Sequence, residues 1–301
     1  MNRMKVFVTG SSGFIGRNIT EKLLQDNYTI TAYGRKDAFS NSQNYKFIRG
    51  DITQYRKLFA GLGDCEYAIH LAASIPKRWS FKSDVTNVNG TINLLEAARK
   101  RGLKKLILFS SSAIYESSKN LINEESSLLP KSFYGVDKIT CEMYAKQYNE
   151  EYGLPIVIFR PSNVYGRYQH PINASSNFIS ESLYKVINEQ EINVYNEGEI
   201  ERDFVYVLDI YNPITTVLKR EDIKWGVYNL GSGTCVKIRE IVDLIEEITG
   251  KKAIIRNVSK EISKRVCLDI SKAKRELGFE PRYDLKRGIT ETYRWIRDQK
   301  F

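Results

Sequence analysis

Short β-branched and aromatic runs alternate, through the first half of the chain, with stretches whose apolar residues recur every three or four positions. Such alternation predicts a parallel sheet covered on both faces, because each crossover helix hides one side of the strands it joins. The predicted strands are residues 5–9, 29–33, 45–48, 67–71, 105–110 and 156–160. Ile15, Ile19, Leu23 and Leu24 line one face of a first helix. Val85, Val88, Ile92, Leu95 and Ala98 mark a second, stopped by Gly102. A third covers 134–152 and is closed by Gly153 and Pro155. Six strands with crossovers predict a Rossmann-like doubly wound α/β fold.

After Arg160 the pattern loosens. Residues 163–201 are rich in Tyr, Asn, Ser and Glu, with one helical segment at 178–187. Further helices are predicted at 238–249, 271–277 and 288–297, the last two separated by a turn at Pro281. No Gly/Ser-rich or Pro-rich linker intervenes. The expected organisation is a dinucleotide-binding domain over 1–160 and a smaller α/β substrate-binding region over 161–301, with the chain free to cross back.

Composition narrows the class. A chain of 301 residues, 42% hydrophobic and 27% charged, buries enough core to dispense with disulfide staples. No apolar run has bilayer length, and the first residues lack a signal-peptide pattern. Cys65, Cys141, Cys235 and Cys267 show no C-x-x-C spacing, which predicts a reducing compartment, the cytoplasm, and no metal site. The net charge of +10 is spread through the chain and interleaved with acids. It therefore predicts no nucleic-acid partner, and fits a basic mouth for phosphorylated small molecules.

Chemistry enters at the first strand. Val8-Thr9-Gly10-Ser11-Ser12-Gly13-Phe14-Ile15-Gly16 is a strand end, a glycine turn and a helix start. Gly10 permits the turn, Gly13 lets backbone approach a pyrophosphate, and Gly16 lets helix and strand pack closely. The helix N-terminus offers N–H groups and a positive dipole end to the anion. At the second strand's end an acid would accept from the ribose 2′-OH of NAD, whereas a cation would pair with the 2′-phosphate of NADP. Arg35 and Lys36 stand there, ahead of any carboxylate, so NADP(H) is expected, with NAD(H) as the alternative.

Tyr-x-x-x-Lys occurs twice, at Tyr115–Lys119 and Tyr134–Lys138, among 19 tyrosines. Only Tyr134 opens a long helical pattern, which places Lys138 one turn on along the same face. A phenol ionises near pH 10, and an adjacent ammonium lowers that by roughly 1–3 pH units. Such a tyrosine exchanges protons with a sugar hydroxyl or carbonyl while hydride moves. Ser110-Ser111-Ser112 end the fifth strand at the carboxyl edge, where α/β sheets bind ligands, although a serine there also suits plain turn chemistry.

Together these pieces resemble, over essentially the whole chain, the extended short-chain dehydrogenase/reductase superfamily of nucleotide-sugar epimerases, dehydratases and reductases. The turn Thr9–Gly16 looks like its cofactor turn, implying contacts from Gly10, Ser12, Gly13, Phe14 and Ile15. Gly50-Asp51-Ile52 looks like its adenine-contacting segment, His70-Leu71-Ala72-Ala73 like its fourth-strand motif, and Asn89-Gly90-Thr91 like the start of its dimer-forming helix, implying cofactor contacts from Asp51, Ile52, Leu71, Ala72, Ala73 and Asn89. Phe109-Ser110-Ser111-Ser112-Ala113 matches its catalytic segment, which puts the active hydroxyl on Ser112 and Ser110 beside the cofactor. Tyr134-Gly135-Val136-Asp137-Lys138 resembles its catalytic pair, which also implies both Tyr134 and Lys138 as cofactor contacts, with Lys138 holding the ribose.

On the substrate side, Arg160-Pro161-Ser162-Asn163-Val164-Tyr165-Gly166 and Arg202-Asp203-Phe204 resemble segments that hold a nucleotide diphosphate. The resemblance implies Asn163, Asn177 and Arg202 as substrate contacts, Pro161 as a cofactor contact, and Arg265 or Arg256 as a second arginine, with Arg265 chosen. It also implies a homodimer. The family's 4,6-dehydratases carry Asp-Glu where this chain has Ala113-Ile114, which speaks against elimination. The expected function is an NADPH-dependent reductase of a nucleotide-linked 4-keto sugar. The alternatives are an NAD-retaining nucleotide-sugar 4-epimerase and, in another class, a non-catalytic dinucleotide sensor.

Overall fold

The computed structural model describes residues 3–39, 43–75, 85–173, 177–259, 265–299 and 301. Its main sheet contains β1 (Lys5–Thr9), β2 (Thr29–Gly34), β3 (Tyr45–Arg49), β4 (Tyr67–His70), β5 (Lys105–Phe109), β6 (Ile156–Pro161) and β11 (Trp225–Leu230). Their order across the sheet is β11-β6-β5-β4-β1-β2-β3. The pairings from β3 through β2, β1, β4 and β5 to β6 are all parallel. This is the dinucleotide-binding strand order, reversing beside β1. Every residue of β5 and β6 is buried, which explains the apolar runs Leu106–Phe109 and Ile156–Phe159, while the edge strand β3 is half-exposed.

Each predicted strand appears, with ends displaced by a single residue at most. The seventh strand, β11, comes from beyond residue 160 and lacked a distinct alternation. Helices α1 (Phe14–Gln25), α2 (Tyr55–Leu62), α3 (Gly90–Arg101) and α4 (Phe133–Tyr152) belong to the same unit. The stretch expected to be helical from Val85 opens with a π turn, Val85–Asn89, before α3 begins. Gly102 and Gly153 end α3 and α4 in left-handed conformations, at φ 62° and 65°. Leu58 and Leu62 of α2 pack with Leu94, Leu95 and Ala98 of α3 and with Phe7, Leu106 and Ile156 of the sheet. Behind α4, the guanidinium of Arg160 meets the carboxylate of Glu142 at 2.6 Å, with both side chains almost fully buried.

Two compact units emerge, each built from separated segments. The first comprises Met1–Ile114, Pro130–Arg160 and Tyr211–Tyr228. The second comprises Tyr115–Leu129, Pro161–Ile210 and Asn229–Phe301. Within the second, β10 (Phe204–Tyr206) pairs with β7 (Asn163–Tyr165), and β13 (Ile254–Val258) pairs with β8 (Glu191–Tyr195). A three-stranded sheet runs β12 (Val236–Lys237), β9 (Glu201–Arg202), β14 (Arg265–Val266). Tyr165 meets Tyr206 edge-on at 5.5 Å, and Tyr206 stacks on Tyr283 at 4.2 Å, giving this unit an aromatic core.

The cysteines depart from expectation. Cys235 and Cys267 form a disulfide with Cα atoms 5.7 Å apart, a pairing that their spacing in the sequence did not suggest. They lie 32 residues apart, and only the fold brings them together. Cys65 and Cys141 are buried free thiols. Among the described residues no helix is long and apolar enough to cross a membrane.

Candidate active site

A pocket of about 510 Å³ opens at the carboxyl ends of β1, β2 and β4. Gly10, at φ +72°, makes its turn, and a side chain there would press to 2.6 Å from the Ala72 amide nitrogen. The Gly13 amide donates to the Gly10 carbonyl at 3.0 Å, and α1 starts at the next residue. A Cβ on Gly16 would overlap the Gly10 carbonyl, so helix and turn meet only without one. This is a cradle shaped for an anion against a helix N-terminus.

Of the predicted cofactor residues, Gly10, Ser12, Gly13, Arg35, Lys36, Asp51, Ile52, Leu71, Ala72 and Ala73 line this pocket. Phe14 and Ile15 lie in the first turn of α1 and Asn89 is exposed ahead of α3, all outside the lining. Tyr33, Gly34, Gly50 and Thr86 also line it and were not predicted. Gly50 carried a signal, since it directly precedes Asp51. Tyr33 needs that glycine: its hydroxyl donates to the Asp51 carbonyl at 3.1 Å, and a Cβ at Gly50 would collide with its ring. Burial pushes the Tyr33 phenol up to about 12. Thr86 sits in the π turn, where no helical period marks it.

Below the pocket lies a buried polar chain. The Asn87 side chain donates to Ser74 O at 3.0 Å and to Asp137 Oδ2 at 2.7 Å, and accepts from Ser74 N at 2.7 Å. Thr91 donates its hydroxyl to Asn87 O at 2.7 Å. That proton being committed, His70 Nε2 must carry its own and donate to Thr91 Oγ1 at 3.0 Å. His70 Nδ1 then accepts from Thr9 Oγ1 at 2.6 Å. Burial, followed by the charge of Lys138, holds His70 down to about 3, so it stays neutral. The chain ties the β1 end, the pocket floor and the π turn to α4.

The predicted catalytic residues come together in this same unit. Ser132 caps α4 by accepting from the Gly135 amide at 3.1 Å. Gly135 lies so close to the Ser112–Ile114 turn that a Cβ would reach 2.7 Å from Ala113 O. That approach brings the half-buried Tyr134 and Ser112 to neighbouring backbone segments. Lys138, buried, donates to Phe109 O at 2.6 Å with its amine 5.6 Å from the Tyr134 ring centre. Ser110 is buried, its hydroxyl without a protein partner. The competing Tyr115 is structural: its hydroxyl donates to Asn229 Oδ1 at 2.8 Å.

The second unit holds the remaining predictions. Pro161 ends β6. Asn163 Nδ2 donates to Asp203 O at 2.8 Å, and Asn177 caps the helix α5 (Phe178–Ile187) while donating to Val164 O at 2.7 Å. Arg202 is half-buried on β9, and desolvation lowers its pKa. Arg265 pairs in register with Glu201 and its Nε donates to the Glu201 carboxylate at 2.7 Å. Arg256 lies on β13, exposed and paired with β8, so Arg265 rather than Arg256 stands beside Arg202. The buried Asp203 carboxylate gathers Ser162 Oγ, the Ser232 amide and hydroxyl, and the Leu268 amide.

A sequence model of the NAD dependent epimerase/dehydratase family matches residues 6–231. The chain is similar to the UDP-glucose 4-epimerase of Thermotoga maritima, solved with UDP-glucose, at 30% identity and a TM-score of 0.89, covering 98% of this chain and 99% of that one. It is similar to the UDP-glucuronic acid 4-epimerase of Bacillus cereus, solved with UDP-glucuronic acid and NAD, at 27% identity and a TM-score of 0.90 over 98% and 99% of the two chains. The human dTDP-D-glucose 4,6-dehydratase is 31% identical over 98% of this chain and 90% of its own length.

These relatives correct two expectations. The neighbours whose bound dinucleotide is named carry NAD, not NADP. Arg35 and Lys36 are exposed on the pocket rim, where water screens their charge, so they do not amount to a built phosphate cradle. The NADPH-dependent reductase reading falls with them, since the named activities are those of epimerases and dehydratases. By sequence over three-quarters of its length and by fold over nearly all of it, the chain belongs to the NAD dependent epimerase/dehydratase family, enzymes that act on nucleotide sugars.

Proposed function

We infer that this protein inverts the C4 centre of a uridine-diphosphate hexose with tightly held NAD. The observation that carries the reading is the Lys138 amine, buried and fixed by Phe109 O beside the Tyr134 ring, with Ser112 on the adjoining turn. NAD held in this pocket would supply the acceptor and donor for a hydride at C4. Gly10 and Gly13 would seat its pyrophosphate, and Asp51 and Ile52 would border its adenosine half. Tyr134 takes the C4 hydroxyl proton and later gives it back, with the Lys138 ammonium held beside its ring. The Ser112 hydroxyl donates to the same sugar oxygen. Arg202 and Arg265, with Asn163, would hold the diphosphate, leaving the sugar free to present either face.

Epimerisation is favoured over 4,6-dehydration by Ala113-Ile114, since neither side chain can move a proton to or from C5 and C6. A homodimer through α3 and α4 is supported by the exposed Phe133, Val136, Met143 and Tyr144 on α4, spaced as one helical stripe.

The test begins with denatured protein, whose released nucleotide is identified by chromatography. Folded protein is then incubated with UDP-glucose and UDP-glucuronic acid, and the products are read by NMR. NAD and a C4-inverted product support the reading. A 4-keto-6-deoxy product, or protein that holds no NAD, defeats it.

A further inference from the structure

The disulfide closes a ring around one residue. Arg202 is paired in register with Val236 on one side and with Val266 on the other. Those two valines are the immediate sequence neighbours of Cys235 and Cys267, the bonded pair. Beyond Arg202 the same ring is drawn inward, because Asp203 N donates to Val266 O at 3.3 Å and its carboxylate receives Ser232 N and Leu268 N. Strands β9, β12 and β14 are only two residues long, so few ladder bonds hold them without the covalent link.

We propose that Cys235–Cys267 is a thiol–disulfide exchange site that clasps the Arg202 segment, so that reduction loosens the arm holding the nucleotide diphosphate. The effect on the diphosphate rests on the role given to Arg202 above; the clasp itself does not. Cys235 is half-buried and Cys267 fully buried, which makes the Cys235 sulphur the one open to attack by a small external thiolate in this proposal. A mixed disulfide forms there, and Cys267 leaves as thiolate and takes up a proton. A second thiol then attacks the mixed disulfide and frees Cys235. Two external thiols are oxidised to one disulfide, and the clasp gains two electrons and two protons. The sulphurs and the Glu201 carboxylate lie within 4.8 Å of one another, a spacing that also suits a metal. Glu201 is already engaged by Arg265 and the sulphurs by each other, which favours the redox assignment.

The experiment uses the full chain, kept in oxidised glutathione or treated with dithiothreitol. Thiols are counted after denaturation, UDP binding is measured by calorimetry, and amide exchange is followed over residues 201–203. Oxidised protein should show two thiols and reduced protein four. Reduction should weaken UDP binding at least five-fold and raise exchange at 201–203. Cys235→Ser and Cys267→Ala should behave as reduced protein in both conditions. Four thiols in the glutathione-treated protein, equal exchange in both states, or stoichiometric zinc held by the reduced form would each overturn the proposal. If UDP binds neither state, the nucleotide-sugar reading fails, and amide exchange alone still decides the clasp.

Discussion

Lys138 spends one of its amine protons on the Phe109 carbonyl while standing 5.6 Å from the centre of the Tyr134 ring. A strand end thus aims the ammonium, and the helix places the phenol. Tyr134→Phe removes the proton carrier and should lower kcat by about 10²–10⁴-fold, the usual span for a general acid–base, with NAD content unchanged. Lys138→Met, which removes the ammonium beside that ring, should also lower kcat. Turnover of a UDP-hexose by each variant checks both.

Gly10→Ala places a methyl against the Ala72 backbone and forces a left-handed φ on a residue with a side chain. The variant should retain less than about a tenth of the wild-type NAD, because the backbone that closes on the pyrophosphate must move. Nucleotide released on denaturation measures it.

His70 supplies a pH signature. Its folded pKa is about 3, below the ordinary value of 6.5. Between those values the unfolded chain binds a proton that the folded chain refuses. Stability from the neutral ring is therefore complete above about pH 6.5 and is lost as pH falls toward 3, at up to about 1.4 kcal/mol per pH unit. Urea unfolding at pH 4.5, 5.5 and 7 should show this slope, and His70→Asn should flatten it.

The Arg160–Glu142 pair fixes α4 to β6. Arg160→Met alone leaves a buried carboxylate without its partner and should cost roughly 3–5 kcal/mol. Adding Glu142→Leu should recover most of that loss. A denaturant series on the two variants settles it, since equal midpoints would mean the charge pair carries no such coupling.

The parallel sheet and the helix that carries Tyr134 and Lys138 were legible because burial on both faces writes itself as continuous apolar runs, and the Tyr134–Lys138 spacing coincides with one helical turn. The glycine turn was legible because each glycine answers a separate steric demand. Cofactor choice was not: Arg35 and Lys36 read as a phosphate clamp in sequence, yet the fold leaves them exposed to water. Asn87 and Thr86 escaped notice because a π turn breaks the helical period that would have marked them. The Cys235–Cys267 bond depends on two-residue strands pairing across long sequence separations, a relationship no local pattern encodes.

The ammonium of Lys105, at the opposite end of β5 from Ser110, donates to the carbonyls of Val217 and Arg220 at the end of the helix Tyr211–Lys219, and burial lowers its pKa. A polypeptide stopped at Arg160 would strip away both acceptors, together with the sheet's edge strand. The nucleotide-binding half is consequently not a portable module. Its assembly waits on residues translated long after its glycine turn, so fragments ending at the apparent boundary should aggregate rather than bind dinucleotide.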